Sequence, residues 1–226
     1  PKEKLLVANL EKGIATDVSQ ELQAALDEMG ATGGVVYVPG GTYRLDHPIR
    51  IPAGVELRGT ATVAGKEWIK NVTGTLFMCY YGDESSYDAD TDEALVTLAG
   101  DYAGVNGIRF LYPENGPNDV DLNSTYVIRG QGTGVYVVNS FIAAAGYGID
   151  FRNCDEHYLR ENYISCYYTV YRLGGKDGII RGCLTNPNMI ARTVQAGLVN
   201  WIGLDEQSEK LTEPVTCENT RVIVLD

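Results

Sequence analysis

One short motif occurs four times between Ala94 and Asn186, and it limits the possible folds more than any other feature of the sequence. Each copy contains a strand-forming segment, a turn rich in glycine and polar residues, and a second strand-forming segment. The equivalent positions are taken as Leu98, Ile128, Phe151 and Leu173. A repeat of roughly 22–30 residues built in this way is typical of β-solenoids. We therefore predict an all-β solenoid, a right-handed single-stranded parallel β-helix.

The same alignment assigns the two sides of each strand, because side chains alternate along a strand. One outward ladder is predicted to contain Thr97, Val127, Asp150 and Arg172. A second outward ladder is predicted to contain Asn139, Glu161 and Arg181. The inward positions of the second strands are taken as Val137, Leu159 and Ile179, followed by Ile142, Ile164 and Leu184. All six are apolar, as a shared core requires.

The charge of the chain argues against two classes of partner. The 226 residues carry a formal net charge of −12, whereas nucleic acid binding requires a basic face. No apolar run is long enough for a membrane span, and the first ten residues lack the apolar core of a signal peptide.

The five cysteines form no CxxC pair, so we expect buried free thiols rather than a zinc site.

The segment before the repeats predicts a helical cap. Leu22, Leu26 and Met29 recur at helical spacing within Val18–Met29, and Asp17 with Gln20 has the form of a capping box. The apolar stripe of this helix is expected to cover the open end of the solenoid.

We expect one domain that is part of a longer chain. Its parts are a cap region at 1–34, first coils at 35–60, an inserted loop region at 61–93, regular coils at 94–186, and a last coil with a C-terminal segment at 187–226.

Residues 13–60 resemble a known family. The order of ELQAAL, GGVVYVPGGTYRL and IPAGVELRG is similar to the N-terminal region of the pectate-lyase-like β-helix superfamily, in the branch described as pectate lyase superfamily proteins. GIRFLYPENG and YGIDF, within residues 105–175, resemble bacterial members of that branch. The resemblance implies a secreted or cell-surface protein that acts on or binds polysaccharide. It implies no single reaction, because lyases, hydrolases, epimerases and phage tailspikes share the fold.

An acidic loop interrupts the repeats at 61–93. Asp88, Asp90 and Asp92 alternate along it, and oxygens at alternate positions can surround a calcium ion. The loop lacks the glycine and the distal glutamate of an EF-hand, so a solvated acidic loop is the preferred interpretation. A calcium site stays open as an alternative, and we expect no other cofactor.

The first-choice catalytic residues lie in equivalent turns of the third and fourth repeats. They are Asp155, Glu156, His157, Lys176 and Asp177. Crowded carboxylates without a basic neighbour acquire different pKa values, which gives one acid and one base. Asp150 and Glu161 are second choices, because the alignment gives each an arginine neighbour and hence an exposed ion pair.

The substrate class can be stated only broadly. Tyr147, Tyr163, Tyr167 and Arg172 are the predicted substrate-binding residues, since flat aromatic rings stack on sugars. The preferred function is a polysaccharide hydrolase or lyase acting on a plant- or host-type polysaccharide or its oligosaccharides. The alternative is a non-catalytic glycan-binding or structural β-helix module of a larger secreted or surface protein, including a tailspike. The oligomeric state cannot be inferred.

Overall fold

A computed structural model describes residues 4–60, 74–82, 86–115, 124–187, 216–218 and 221–222. Within these residues it contains one helix, α1 (Ser19–Gly30), and eighteen short strands. The strands are β1 (Leu5–Val7), β2 (Gly34–Tyr37), β3 (Gly41–Leu45), β4 (Ile49–Ile51), β5 (Val55–Arg58), β6 (Thr75–Cys79), β7 (Val96–Leu98), β8 (Gly104–Asn106), β9 (Ile108–Leu111), β10 (Tyr126–Gly130), β11 (Tyr136–Val138), β12 (Phe141–Phe151), β13 (Tyr158–Arg160), β14 (Tyr163–Leu173), β15 (Ile179–Arg181), β16 (Leu184–Pro187), β17 (Thr216–Glu218) and β18 (Arg221–Val222).

All pairings between these strands are parallel, and they form three faces. Face 1 contains β1, β2, β5, β8, β11, β13, β15 and β17. Face 2 contains β3, β6, β9, the first halves of β12 and β14, β16 and β18. Face 3 contains β4, β7, β10 and the second halves of β12 and β14. The chain visits the faces in this order in each coil, which is the predicted right-handed parallel β-helix.

The core lies between the three faces, where equivalent side chains of successive coils stack. On face 3, Ile128 pairs with Val96 on one side and with Ile149 on the other, and all three are fully buried. On face 2, the centre of the Phe77 ring lies 5.9 Å from that of Tyr43 in the preceding coil and 5.9 Å from that of Phe110 in the following coil. Phe151 and Leu173 pair on neighbouring coils, as predicted.

The register between the first two repeats differs from the sequence alignment by two residues. Leu98 pairs with Gly130 rather than with Ile128. An inward glycine is required here, because a Cβ atom at Gly130 would lie 2.6 Å from the Cys154 sulfur and 2.8 Å from the Phe151 ring. The sequence alignment matched apolar with apolar residues and therefore missed this position. As a result, Arg129 rather than Val127 stands in the outward ladder beside Asp150.

At two further positions, the register in the structure differs from the sequence alignment by one residue. Ile180, not Ile179, pairs with Leu159 in the core, and Ile179 is 38% exposed. Leu184 pairs with Tyr163 and packs outside the core, so it is not the equivalent of Ile164. Adjacent apolar residues fit either side of a strand, and the preceding turn decides which one faces inward.

The second predicted ladder is correct only in part. Asn139 and Glu161 are equivalent, but the next position is Gly182, whereas Arg181 pairs with Arg160. Asn139, Glu161 and Gly182 all have positive φ, at 50°, 52° and 62°. These residues turn the chain from face 1 to face 2, and this corner requires a left-handed residue in their three coils.

Helix α1 packs against β2, β4 and β5 at the first end of the coils. Its buried side chains include Leu22, Leu26 and Met29, as predicted for a cap. The capping-box prediction is wrong in detail, because the N-cap residue is Val18 rather than Asp17. Asp17 accepts the backbone N–H of Ser19 at 3.0 Å, and its carboxylate also binds the N–H of Asp46 and the ring of His47 between β3 and β4. Asp17 thereby ties the helix to the first coil.

Candidate functional site

A column of polar side chains runs down the outside of face 3. The backbone register places Arg50, Thr97, Arg129, Asp150 and Arg172 beside one another on successive coils. Adjacent strands are about 4.8 Å apart, so neighbouring members of this column are within reach of each other. The residues 86–93 cross over the column and supply further carboxylates.

Asp150 is the buried centre of this group, with a relative exposure of 2%. Its carboxylate accepts a hydrogen bond from Arg129 Nε at 3.1 Å and from Arg152 Nη2 at 2.7 Å. Arg152 Nε lies 3.0 Å from both carboxylate oxygens. Because the carboxylate is surrounded by two guanidinium groups, its charge is balanced within the fold, and it holds both arginines in place.

From the crossing loop, Asp90 binds Arg152 as well as a third arginine, Arg172. Its Oδ1 atom accepts hydrogen bonds from Arg152 Nη2 at 2.7 Å and from Arg172 Nη1. Burial alone would raise the pKa of Asp90, but the bonds from the two arginines outweigh it and lower that pKa. Asp90 is therefore ionised at neutral pH.

The crossing loop has its own anchors. Arg129 donates to the carbonyl oxygen of Asp92 at 2.7 Å and to that of Ala89. Within the loop, the Asp88 carboxylate accepts the Asp90 N–H and the Asp92 carboxylate accepts the Asp88 N–H, each at 2.7 Å. A recess of about 150 Å³ opens beside these groups and is lined by Asp90, Arg129, Gly130, Asp150, Arg152 and Asn153.

Three tyrosines extend the site along face 3. The ring of Tyr147 lies 5.2 Å from that of Tyr126 and 5.4 Å from that of Tyr168. Tyr126 and Tyr168 are buried, whereas Tyr147 is half-buried and offers a surface for contact with a ligand. Burial raises the pKa of Tyr147 to about 12, so its hydroxyl group stays protonated at neutral pH.

The other two predicted binding tyrosines are buried against other parts of the fold. Tyr163 is on face 2, where its ring stacks on Phe141 with centroids 5.0 Å apart. Tyr167 is 5% exposed and lies beside Tyr168 under the loop that carries Asn115. Arg172 and Tyr147 are thus the predicted binding residues that the structure brings to the face 3 site.

The predicted catalytic turn lies at the edge between face 3 and face 1. Asp155, Glu156, Lys176 and Asp177 are all exposed there. The Asp155 carboxylate accepts the backbone N–H of Lys176 at 2.9 Å. Glu156 and Asp177 are equivalent positions and both have a φ of 54°, the left-handed conformation that the turn requires. These polar residues stabilise turns, and their role in catalysis stays a prediction.

His157 does not share the exposure of that turn, because its side chain is fully buried. Its ring packs near Phe151, and Nδ1 is 2.9 Å from the Cys154 carbonyl oxygen, to which it donates as the Nδ1–H tautomer. Gly178 leaves room for the ring, since a Cβ atom there would lie 2.1 Å from it. Burial lowers the pKa of His157, so the histidine packs as a neutral core residue.

The second-choice residues are separated by the fold. Asp150 lies at the centre of the face 3 site, whereas Glu161 is exposed at the corner between face 1 and face 2. The described part of the chain holds no group of three or more His, Cys, Asp or Glu residues arranged to bind a metal ion. Asp90 is engaged by arginines, and calcium at Asp88, Asp90 and Asp92 stays an untested prediction.

Sequence reasoning missed two members of the site. Arg129 was hidden by the two-residue register error at Gly130. Arg152 was overlooked, although its position two residues after Asp150 places both side chains on the same side of the chain. No sequence signal connects Asp90 to these residues, since that contact depends on the path of the loop.

The comparisons with known proteins agree with this fold. A family model described as "Rhamnogalacturonase A/epimerase, pectate lyase-like" matches residues 9–78. No curated protein is significantly similar in sequence. A candidate glycosyl hydrolase from Parabacteroides merdae is 12% identical, with a TM-score of 0.65 over 97% of this chain and 96% of that one.

Two further solved structures are similar over the whole of this chain. A pectin methylesterase in complex with a hexasaccharide is 11% identical, with a TM-score of 0.65 and 67% of its own length covered. The tailspike protein gp49 of Acinetobacter baumannii bacteriophage Fri1, a capsular polysaccharide depolymerase, is 15% identical, with a TM-score of 0.61 and 44% of its length covered.

Residues 9–78 thus match a pectate lyase-like family model, and the chain shares the parallel β-helix fold of these solved structures. At these identities the solved structures share only the fold with it. Across the described residues, no helix is long and apolar enough to cross a membrane.

Proposed function

We propose that this protein binds an acidic polysaccharide on face 3 and cleaves it by β-elimination. The observation that carries the proposal is a group of three arginines in a chain whose net charge is −12: Arg129 and Arg152 line one open recess, and Arg172 binds Asp90 at the same recess. Arginine is well suited to bind a planar carboxylate through two parallel hydrogen bonds. The similar structures include proteins whose substrates or ligands are polysaccharides or oligosaccharides, which supports a carbohydrate ligand.

The state of the carboxylates favours elimination over hydrolysis. Asp90 and Asp150 each lie 2.7 Å from Arg152 Nη2, so their separation is compatible with that of a retaining glycosidase, about 5 Å. A hydrolase, however, needs one protonated carboxyl group to act as the acid. The arginines lower the pKa of Asp90, which leaves it ionised.

Elimination makes a different demand on the site. A cation that neutralises the uronate carboxylate makes the neighbouring proton easier to remove, and guanidinium groups supply that charge. The ionised Asp90 carboxylate lines the recess and accepts this proton once the uronate carboxylate has taken its place on the arginines. Tyr147 stays protonated at neutral pH and stands beside the same column, where it can donate a proton to the leaving oxygen.

Activity on a panel of polysaccharides tests this proposal. Pectate, alginate and glucuronate-containing polymers are compared with neutral polymers, and products are measured by the absorbance of unsaturated uronate and by reducing ends. We expect unsaturated products from an acidic polymer and a loss of at least tenfold in kcat/KM for Arg172→Gln, about 1.4 kcal/mol of transition-state stabilisation. Glu28→Gln, an exposed change on helix α1, is the control.

Three outcomes would contradict the proposal. Reducing ends without unsaturated products would support a hydrolase. Loss of activity in Asp155→Asn and Asp177→Asn, with Arg172→Gln unaffected, would place the site at the turn between face 3 and face 1. Turnover of neutral polymers alone would exclude an acidic substrate.

A non-catalytic glycan-binding module is the second candidate. It is favoured by the engagement of both Asp90 and Asp150 in ion pairs, which leaves neither carboxylate available as a free base in this state. Micromolar affinity for an acidic polysaccharide without any product would establish it. Because such polymers occur outside cells, we also propose a secreted or cell-surface location, to be tested by fractionating cells that express the full-length protein.

A further inference from the structure

The carboxylate of Asp90 differs in origin from the rest of the face 3 site. Asp150, Arg129, Arg152 and Arg172 come from the coils or the turn that follows them, whereas Asp90 comes from the loop that crosses over them. The side chain of Asp90 is 46% exposed, compared with 2% for Asp150. The site therefore contains one fixed carboxylate and one that faces solvent.

We infer that Asp90 occupies the position of a ligand carboxylate, and that Arg152 and Arg172 form a subsite for the carboxylate of a uronate residue. The inference rests on the proposed binding of an acidic polysaccharide to face 3, and it defines which group of the sugar is recognised. Asp90 leaves this subsite when the ligand enters it.

The burial of the arginines determines the class of ligand. The side chain of Arg172 is 12% exposed and that of Arg152 is 27% exposed. A poorly hydrated guanidinium group binds an anion in preference to a neutral group, so a negatively charged group is favoured in the place of Asp90. A sugar hydroxyl or a methyl ester cannot balance this charge, whereas a uronate carboxylate can do so with the same hydrogen-bond geometry.

The surrounding contacts allow Asp90 to leave without unfolding the loop. The carbonyl groups of Ala89 and Asp92 remain bound to Arg129, and the Asp88 and Asp92 carboxylates bind N–H groups within the loop. Only the side chain of Asp90 must rotate into the solvent that it already contacts. Partly exposed ion pairs contribute little stability, so the exchange is energetically inexpensive.

The test compares Asp90→Asn with the wild-type protein by isothermal titration calorimetry. The probes are sodium acetate, trigalacturonate and the methyl ester of trigalacturonate. We expect Asp90→Asn to bind acetate and trigalacturonate at least tenfold more tightly than the wild type does, because no internal carboxylate competes. Affinity for the methyl ester is expected to be unchanged. Glu28→Gln, which removes the same charge from an exposed site on α1, is expected to match the wild type for all three probes.

Two additional proteins keep the result interpretable. Asp90→Ala is tested in parallel, and thermal unfolding establishes that both variants are folded. In an Arg172→Gln background, the gain from Asp90→Asn is expected to disappear, because the subsite then lacks one of its two cations. This dependence separates occupation of the subsite from a general change in charge.

The outcomes distinguish this inference from the proposed function. Unchanged or weaker binding of both acidic probes by folded Asp90→Asn overturns the inference, even if the wild type cleaves an acidic polysaccharide. Tighter binding of acetate by Asp90→Asn supports the subsite, even if no polysaccharide is bound or cleaved, in which case the proposed function fails. A gain that persists in the Arg172→Gln background also overturns the inference.

Discussion

At the scale of single residues, Asp150 and Asp90 share Arg152 but contribute to the molecule in different ways. Asp150 is buried and neutralises Arg129 and Arg152, so its removal leaves two poorly hydrated cations with one anion fewer. Asp90 is half-exposed, so dissolved anions can take its place on the arginines. The two carboxylates therefore differ in their effect on stability, although they lie close together.

We expect Asp150→Asn to lower the free energy of unfolding by about 3 kcal/mol, since breaking a buried ion pair leaves an uncompensated charge. The matched change Asp90→Asn is expected to cost less than about 1 kcal/mol, as for an exposed pair. Urea unfolding at neutral pH measures both. Equal costs for the two variants would show that burial does not separate their roles.

His157 gives the protein a specific dependence on pH. The ordinary pKa of a histidine side chain is about 6.5. Burial lowers the pKa of His157 below this value in the folded state. The unfolded chain therefore takes up a proton first as the pH falls, and the stability that His157 contributes is complete above pH 6.5 and lost progressively below it.

We expect His157→Phe to remove a loss of stability of about 1 kcal/mol per pH unit that the wild type shows just below pH 6.5. Unfolding by urea at several values between pH 7.5 and 5.5 measures this slope. The same slope in His157→Phe would mean that other groups cause the loss.

At the scale of secondary-structure elements, helix α1 closes the first end of the coils through a narrow apolar stripe. Leu26 is fully buried against the coil, whereas Glu28, two residues later, is exposed. We expect Leu26→Ala to lower the free energy of unfolding by about 2–5 kcal/mol, because it removes buried methyl groups and leaves a cavity. Glu28→Gln is expected to change it by less than about 0.5 kcal/mol. Similar values for the two variants in urea unfolding would contradict the cap.

The strands show how far the sequence alone can lead. The ends of the strands Ile49–Ile51 and Val55–Arg58 can be read from the sequence alone, because prolines flank the first strand and glycines flank the second. The register at Gly130 was not predictable, since the reason for a glycine there is the Phe151 ring and the Cys154 sulfur of the next coil. The alternation of side chains along a strand determines which residues face inward. The contacts with neighbouring coils determine which residues of two strands pair with each other.

The residues of the face 3 site also divide into those that the local sequence predicts and those that depend on neighbouring coils or loops. Arg172 and Tyr147 were expected from the repeats and lie on face 3, because positions inside a strand depend on local alternation. Arg129 required the correct register, and Asp90 required the path of a loop with no repeat to align. Burial of His157 also depends on a neighbouring coil, where Gly178 provides the space for its ring.

At the scale of the whole molecule, the closed core protects the thiol groups. Cys79, Cys154, Cys166 and Cys183 are free and buried. Burial raises the pKa of Cys154 to about 12, so it carries little reactive thiolate at neutral pH.

We expect a thiol reagent to modify at most one cysteine per chain rapidly in the folded protein and all five after unfolding. Mass spectrometry at successive times measures the number modified. Rapid modification of two or more in the folded state would contradict the closed core. A mass that requires a disulfide in the native protein would contradict the free thiols.

The parallel stacking of the coils also bears on how the chain assembles during synthesis. Each strand pairs with its equivalents in the neighbouring coils of the same face, and the cap precedes the coils in the chain. A ribosome therefore releases the helix and first coil before the segments that need their exposed edge as a template. Loss of a late coil removes only the most recently added layer, whereas loss of the helix removes the surface on which all later layers begin to form.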